Sequence, residues 1–223
     1  MAGRWGTVTT PRERYRAQVR VEIKEHAWEQ IASAGASALS LNAIAKRMGM
    51  SGPALYRYYA GRDELITELI RDAYRSLADT VRAAADGGAD LAGLGRAFRG
   101  WALEDPQRYF LIYGTPVPGY HAPDDTRLIS QEIMATLLEV GASLPERPAT
   151  AFDAHIDEHR DWADPSVPAG VLHRALSFWT RCQGVLSLEL AGQFAGMGFD
   201  PARLFEAELA DLVAGGQAAR TSM

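Results

Sequence analysis

The stretch Ser40-Leu41-Asn42-Ala43-Ile44-Ala45-Lys46-Arg47-Met48-Gly49-Met50-Ser51-Gly52-Pro53-Ala54-Leu55-Tyr56-Arg57-Tyr58-Tyr59 decides the fold. Ser40 suits a helix N-cap, because its short side chain accepts a hydrogen bond from an orphan backbone N–H. Leu41, Ile44, Ala45 and Met48 recur at the spacing of one buried helical face. Gly49 breaks that helix. Ser51 caps the next, with Pro53 in its first turn, where a missing N–H does no harm. Leu55 and Tyr59 then point inward and Arg57 faces away from them. Two short helices flanking a glycine turn have the organisation of a helix-turn-helix, in which the second helix enters the DNA major groove. The small residues from Ser51 to Ala54 let the start of that helix approach bases or phosphates closely.

Helices continue on both sides. Thr10-Pro11-Arg12-Glu13 carries the elements of a capping box with proline at the first helical position. Val19, Ile23, Ala27 and Ile31 make one apolar face, and Gly35 ends the helix. After Gly61, Asp63 and Glu64 favour the start of a fourth helix, where carboxylates suit the dipole. Leu65, Leu69, Ala73, Leu77 and Val81 carry it to about Ala85. Further helices are predicted over Asp90 to Glu104, Pro106 to Tyr113, Asp124 to Val140, Val171 to Phe194 and Pro201 to Val213. The Pro-rich stretch Leu144 to Pro168 reads as the least ordered, with one short helix over Ala151 to His159, and the tail from Gly215 as frayed. Strand alternation and hairpin signals are missing, so the fold class is all-α.

Charge divides the 223 residues in two. Met1 to Arg62 holds ten Lys/Arg against four Asp/Glu, and the remainder holds 13 against 24, although the whole chain carries only −5. A basic N-terminal part suits a polyanionic partner. The expected domains are 1–62 for DNA binding and 63–223 for a second, larger task. Cys182 stands alone, which excludes an internal disulfide and a Cys-rich zinc site. No apolar run reaches membrane-spanning length and no signal-peptide core is visible, so no membrane partner and a cytoplasmic location are expected.

The opening stretch, continued by Gly61-Arg62-Asp63-Glu64-Leu65, resembles the DNA-binding domain of TetR-family transcriptional regulators over about Val19 to Leu69. Tyr58-Tyr59 stands where that family often has His-Phe or Tyr-Phe. A weaker resemblance covers Trp101-Ala102-Leu103-Glu104-Asp105-Pro106, Tyr109-Phe110, Tyr113-Gly114-Thr115-Pro116 and Trp179-Thr180-Arg181-Cys182-Gln183-Gly184-Val185-Leu186-Ser187-Leu188-Glu189. It points to a branch whose penultimate helix carries Trp and then His-Gly. Gln183 replaces that histidine, so no role of the imidazole is carried over. The resemblance implies a homodimer on a palindromic double-stranded operator, with an N-terminal three-helix helix-turn-helix domain and a larger helical domain for dimerisation and a small-molecule effector. The reading is a repressor released by a small ligand, which the aromatic surroundings of the second part make largely apolar. The competing reading is a helical small-molecule carrier or enzyme with a non-essential N-terminal domain.

For DNA, Ser40, Tyr56, Tyr58 and Arg62 suit phosphates. Asn42, Ala43, Gly52, Pro53 and Arg57 suit base edges, and Arg57 can pair bidentately with guanine. Ser51 and Ala54 complete the approaching surface. For the effector, Trp101, Tyr109, Phe110, Tyr113 and Trp179 supply rings, and His173, Thr180 and Gln183 polar anchors. The stretch Tyr74 to Val81 of the fourth helix should face the helices carrying Trp101, Tyr113 and Trp179. Leu186, Leu190, Phe205 and Leu209 are the expected apolar seam of the dimer. Cys182 reads as a small buried filler. His155-Ile156-Asp157-Glu158-His159 matches the H-x-x-E-H pattern, but its setting favours an exposed polar face. No catalytic triad, phosphate loop, metal or cofactor is called.

Overall fold

A computed structural model of the chain describes residues 10–120 and 123–214. Its α-helices, in chain order, are α1 (Pro11–Ala34), α2 (Leu41–Arg47), α3 (Gly52–Leu55), α4 (Arg62–Asp86), α5 (Leu91–Glu104), α6 (Pro106–Tyr113), α7 (Asp124–Ala142), α8 (Ala151–Glu158), α9 (Ala169–Leu190) and α10 (Pro201–Ala214), with a single 3₁₀ turn at Ala36–Ala38. No strand occurs among the described residues. None of their helices is long and apolar enough to cross a membrane. The tail from Gly215 lies outside the described residues.

Capping chemistry sets most boundaries. Thr10 and Glu13 close the capping box of α1, and Val19, Ile23, Ala27 and Ile31 are its buried face. Ser40 Oγ accepts from the Ala43 amide at the start of α2. Ser51 occupies the N-cap of α3, but its hydroxyl makes no capping bond. Asp90 caps α5 and Asp105 caps α6. The expected helix to Phe194 stops at Leu190 instead, and turns follow. The left-handed backbone at Gly192 (φ 71°) releases the chain there.

The chain separates into two compact units. One runs to Arg71 and takes in the segment beginning at Thr115; the other holds Asp72–Gly114 and the chain from Pro123 on. The division thus falls inside α4 rather than at 62/63. In the first unit, Ile23, Ala27, Ile44, Leu55, Tyr59, Leu65, Ile66 and Leu69 are fully or almost fully buried. Tyr120 and Thr67 share a hydroxyl–hydroxyl hydrogen bond of 2.9 Å, which ties the segment after α6 to α4.

The second unit has a core of Leu77, Val81, Leu94, Phe98, Trp101, Tyr109, Ile133, Leu137, Phe178, Cys182, Leu186, Phe205 and Leu209. Helices α5 and α10 approach closely: a Cβ on Gly95 would stand 2.4 Å from Leu209 Cδ2. Burial pushes the Cys182 thiol up to about 12, which keeps it a neutral filler rather than a reactive thiolate. The Pro-rich stretch does fold. Thr150 and Asp153 form a capping box on α8, and Ile156 packs with Ala169 and Leu172 in a small satellite core.

Candidate nucleic-acid interface and cavity

In the first unit, the hydrophobic spacing of α2 and α3 turns their polar residues outward. Leu41, Ile44, Ala45 and Leu55 are buried, while Asn42, Ala43, Lys46, Arg47, Ser51, Pro53, Tyr56 and Arg57 are exposed. Gly49 takes the positive φ (66°) that the turn between them requires. Gly52 and Ala54 are half-buried, and a Cβ on Gly52 would meet Asn42 Oδ1 at 3.4 Å. Asn42 and the start of α3 therefore share one surface.

The backbone around Arg57 is held from α1, where Arg16 Nη2 donates to the Arg57 carbonyl (3.1 Å). The Arg16 guanidinium lies 5.8 Å from the centre of the half-buried Tyr58 ring. Beneath, Arg20 pairs with Glu68 and covers the Tyr59 ring at 4.6 Å. The helical part of α3 is short, and Tyr56 to Tyr58 continue it as a turn.

Arg62 corrects an expectation. Its Nη2 donates to the carbonyls of Ala36 (3.0 Å) and Ser37 (3.4 Å), and Nη1 reaches Asp63 (3.5 Å). Its guanidinium fastens the 3₁₀ turn to the start of α4, a structural task that the sequence reading did not assign to it. Ser40 is likewise engaged, its amide donating to Gln30 Oε1 (2.9 Å) and its hydroxyl capping α2.

The second unit contains a cavity of about 520 Å³ lined by Tyr74, Ile112, Tyr113, Gly114, Ser130, Gln131, Met134, Trp179 and Gln183. Tyr113 joins its walls. Its ring meets Tyr74 edge-on (6.2 Å, 87°) and Trp179 edge-on (5.3 Å, 78°). Trp179 in turn stacks on Phe98 (6.0 Å, 9°). The Tyr113 hydroxyl is buried and has no hydrogen-bond partner in the protein. Burial, with smaller contributions from Tyr74 and Tyr109, pushes that phenol far above its ordinary range, so it stays a neutral donor and acceptor. Among the described residues, no charged side chain lines the cavity.

Of the residues expected there, Tyr113, Trp179 and Gln183 line it, and Tyr74 does face Tyr113. The other five do not. Trp101 is a core residue whose Nε1 donates to Ser76 Oγ (3.1 Å). Tyr109 is fully buried, sharing a 2.7 Å hydrogen bond with Ser187. Phe110 packs edge-on against Tyr109 (5.7 Å). The Thr180 hydroxyl folds back onto the carbonyls of Leu176 and Ser177. His173 sits in another cluster, its Nδ1 2.8 Å from Asp153 Oδ1, which also accepts from Arg147 Nη2 (2.8 Å).

Sequence reasoning missed Ile112, Gly114, Ser130, Gln131 and Met134. Ile133 and Leu137 are the buried row of α7, and Ser130 and Met134 form the row beside it. That offset was the available signal, but Ser130-Gln131 reads as solvent-facing by composition.

The expected dimer seam also needs correction. Leu186, Phe205 and Leu209 are at most 1 % exposed within a single chain, because they fill the core between α5, α9 and α10. Leu190 is half-buried against that core. None of the three leucine and phenylalanine core positions can present surface to a second copy.

A basic helix-turn-helix unit joined to a larger helical unit with an uncharged cavity is the arrangement of a ligand-responsive DNA-binding regulator. Residues 23–69 match the family model for bacterial regulatory proteins of the tetR family, and residues 91–212 match the tetracyclin repressor-like C-terminal domain. The HTH-type transcriptional regulator Rv1816 of Mycobacterium tuberculosis is 36 % identical over 220 residues, covering 89 % of this chain and 92 % of that protein. The crystal structure of SCO4313 is 73 % identical, with a TM-score of 0.86 over 92 % of this chain and all of that one. A TetR/AcrR-family regulator from Thermobifida fusca shares the fold at 16 % identity, with a TM-score of 0.56, covering 89 % of this chain and 98 % of that one. The chain belongs to the TetR family of transcriptional regulators.

Proposed function

We propose that this protein is a homodimeric repressor that leaves a palindromic operator when a small, neutral, largely apolar ring compound fills the cavity beside Tyr113. The carrying observation is the cavity itself. Three aromatic rings and Met134 offer flat apolar contact, while the unmatched Tyr113 hydroxyl and the half-buried Gln183 offer hydrogen bonds. A buried hydroxyl without a partner costs about 1–3 kcal/mol, and a ligand oxygen or nitrogen would relieve that cost. With no cation among the lining residues, a carboxylate would enter unpaired. Ligands that fit are therefore uncharged.

The DNA-facing surface is Asn42, Ala43, the exposed start of α3, Tyr56 and Arg57, with Tyr58 at its edge. Two copies presenting recognition helices about 34 Å apart match successive major grooves. The dimer is assigned to the outward faces of α9 and α10, where Thr180, Gly184 and Leu188, and Ala207, Ala210 and Ala214, are exposed at helical spacing. Helix α4, whose residues are divided between the two units, carries the signal. The ligand acts only through a preference for the DNA-free state; equal affinity for both states would shift nothing.

The test is fluorescence anisotropy on the DNA upstream of the protein's own gene. Binding should fall steeply with salt, as phosphate contacts require. Neutral aromatic compounds should then release the DNA better than their carboxylate counterparts, with 2-naphthol against 2-naphthoate as the first pair. Equal potency, or preference for the carboxylates, would refute the cavity reading while leaving DNA binding intact.

A further inference from the structure

We propose that His155, Glu158 and His159 form a surface site for a divalent metal ion of the Zn²⁺ class. The three residues lie at i, i+3 and i+4 across the last turn of α8 and its C-cap, where side chains share one face. The opposite face is used by Asp153 and Ile156, which are buried. All three candidate ligands are exposed, and one donor atom from each lies within 4.8 Å of the others.

The donors are also pre-arranged. His159 Nδ1 is 3.0 Å from the His155 carbonyl, so the proton on Nδ1 donates there and Nε2 keeps its lone pair. Metal-binding histidines are held in just this way, the second nitrogen donating to a carbonyl or carboxylate. The His155 ring is flanked by Phe152 (6.1 Å, 25°) and by the His159 ring (4.3 Å, 35°). Both contacts narrow its freedom before any ion arrives. The cation next in sequence is drawn elsewhere: Arg160 donates to Asp157 (2.9 Å), to the Asp164 carbonyl (2.9 Å) and to the Val167 carbonyl. Among the described residues Glu158 has no ion-pair partner.

Two imidazoles and one carboxylate make a borderline donor set. It suits Zn²⁺, Ni²⁺ or Cu²⁺, whereas Mg²⁺ and Ca²⁺ take all-oxygen shells. Three protein ligands leave a fourth position for water. The exposed setting supplies no enclosed cavity for substrate, so the role is binding: the ion would fasten the last turn of α8 to its C-cap, just before the segment leading to α9.

Isothermal titration of tag-free, full-length protein at neutral pH tests this. One saturable equivalent of Zn²⁺ per chain is expected, with no response to Mg²⁺. His155→Ala and His159→Ala should each weaken it at least about tenfold, the loss that removing even an outer partner of a metal ligand produces. Glu158→Gln should weaken it less, and His26→Ala should leave it unchanged. Because the ligands are exposed, the variants should keep the wild-type circular dichroism. With Cu²⁺ as probe, electron paramagnetic resonance should show coupling to two nitrogens in the wild type and one in each histidine variant. The proposal fails if no saturable equivalent appears, or if it persists in the His155→Ala/His159→Ala double variant.

Discussion

Arg57 is the side chain on which sequence reading of the operator turns. It is exposed, and the hydrogen bonds it makes within the protein are those of its backbone, the N–H to the Ala54 carbonyl and the carbonyl from Arg16. Arg57→Ala should weaken operator binding by about 1–3 kcal/mol and relax specificity at one position. A parallel anisotropy series on operator and scrambled duplexes checks it; equal loss on both would demote Arg57 to a phosphate contact. Asp153 sets an acid limit. Burial pushes its carboxyl up, but the Thr150 amide and hydroxyl, His173 and Arg147 outweigh burial and hold it well below the usual range. The folded value is depressed, so the stability is complete above the unfolded value of about 3.9 and drains away as pH falls below it. Asp153→Ala should cost about 3–5 kcal/mol near neutrality, as for a broken buried pair, and flatten the acid limb of a urea-denaturation series below pH ~4. The roles of Arg62 and His173 were illegible in the sequence for one reason. Their partners Ala36 and Asp153 lie 26 and 20 residues away, and only the fold brings them near.

Helices were legible where local chemistry ends them. Thr10, Ser40, Asp90 and Asp105 act on amides two or three residues away, so both sequence and structure place those starts alike. Faces were harder. A run such as Leu186, Leu190, Phe205, Leu209 is apolar whether it meets its own chain or a copy, and periodicity cannot distinguish the two. Burial within one chain separates the self-packed positions from the exposed ones. Leu188 is 46 % exposed on α9 whereas Leu186 is fully buried. Leu188→Glu should therefore shift sedimentation from dimer to monomer with little loss of helicity, while a charge at Leu186 would unfold the protomer. A dimer unchanged by Leu188→Glu would move the interface off this face.

For the proposed repressor as a whole molecule, the decisive quantity is the coupling between cavity and DNA, which is typically 1–3 kcal/mol in ligand-controlled proteins. Tyr113→Phe isolates it. The lost hydroxyl has no partner in the protein, so the variant should be as stable as the wild type, or more stable by about 1 kcal/mol. Ligand-free operator binding should be unchanged, and a neutral aromatic ligand should need a higher concentration to release the DNA. Full ligand response in this variant would mean that the ligand sits elsewhere. One connection described above governs how the chain is made. Because Thr67 bonds to Tyr120, the N-terminal unit draws on a segment that begins only at Thr115. On the ribosome that bond cannot form until α5 and α6 have been synthesised. A fragment cut at Arg71 would hold every DNA-facing residue and still lack a piece of its own fold, so shortening the gene to its helix-turn-helix would yield a weakened binder rather than a free-standing one.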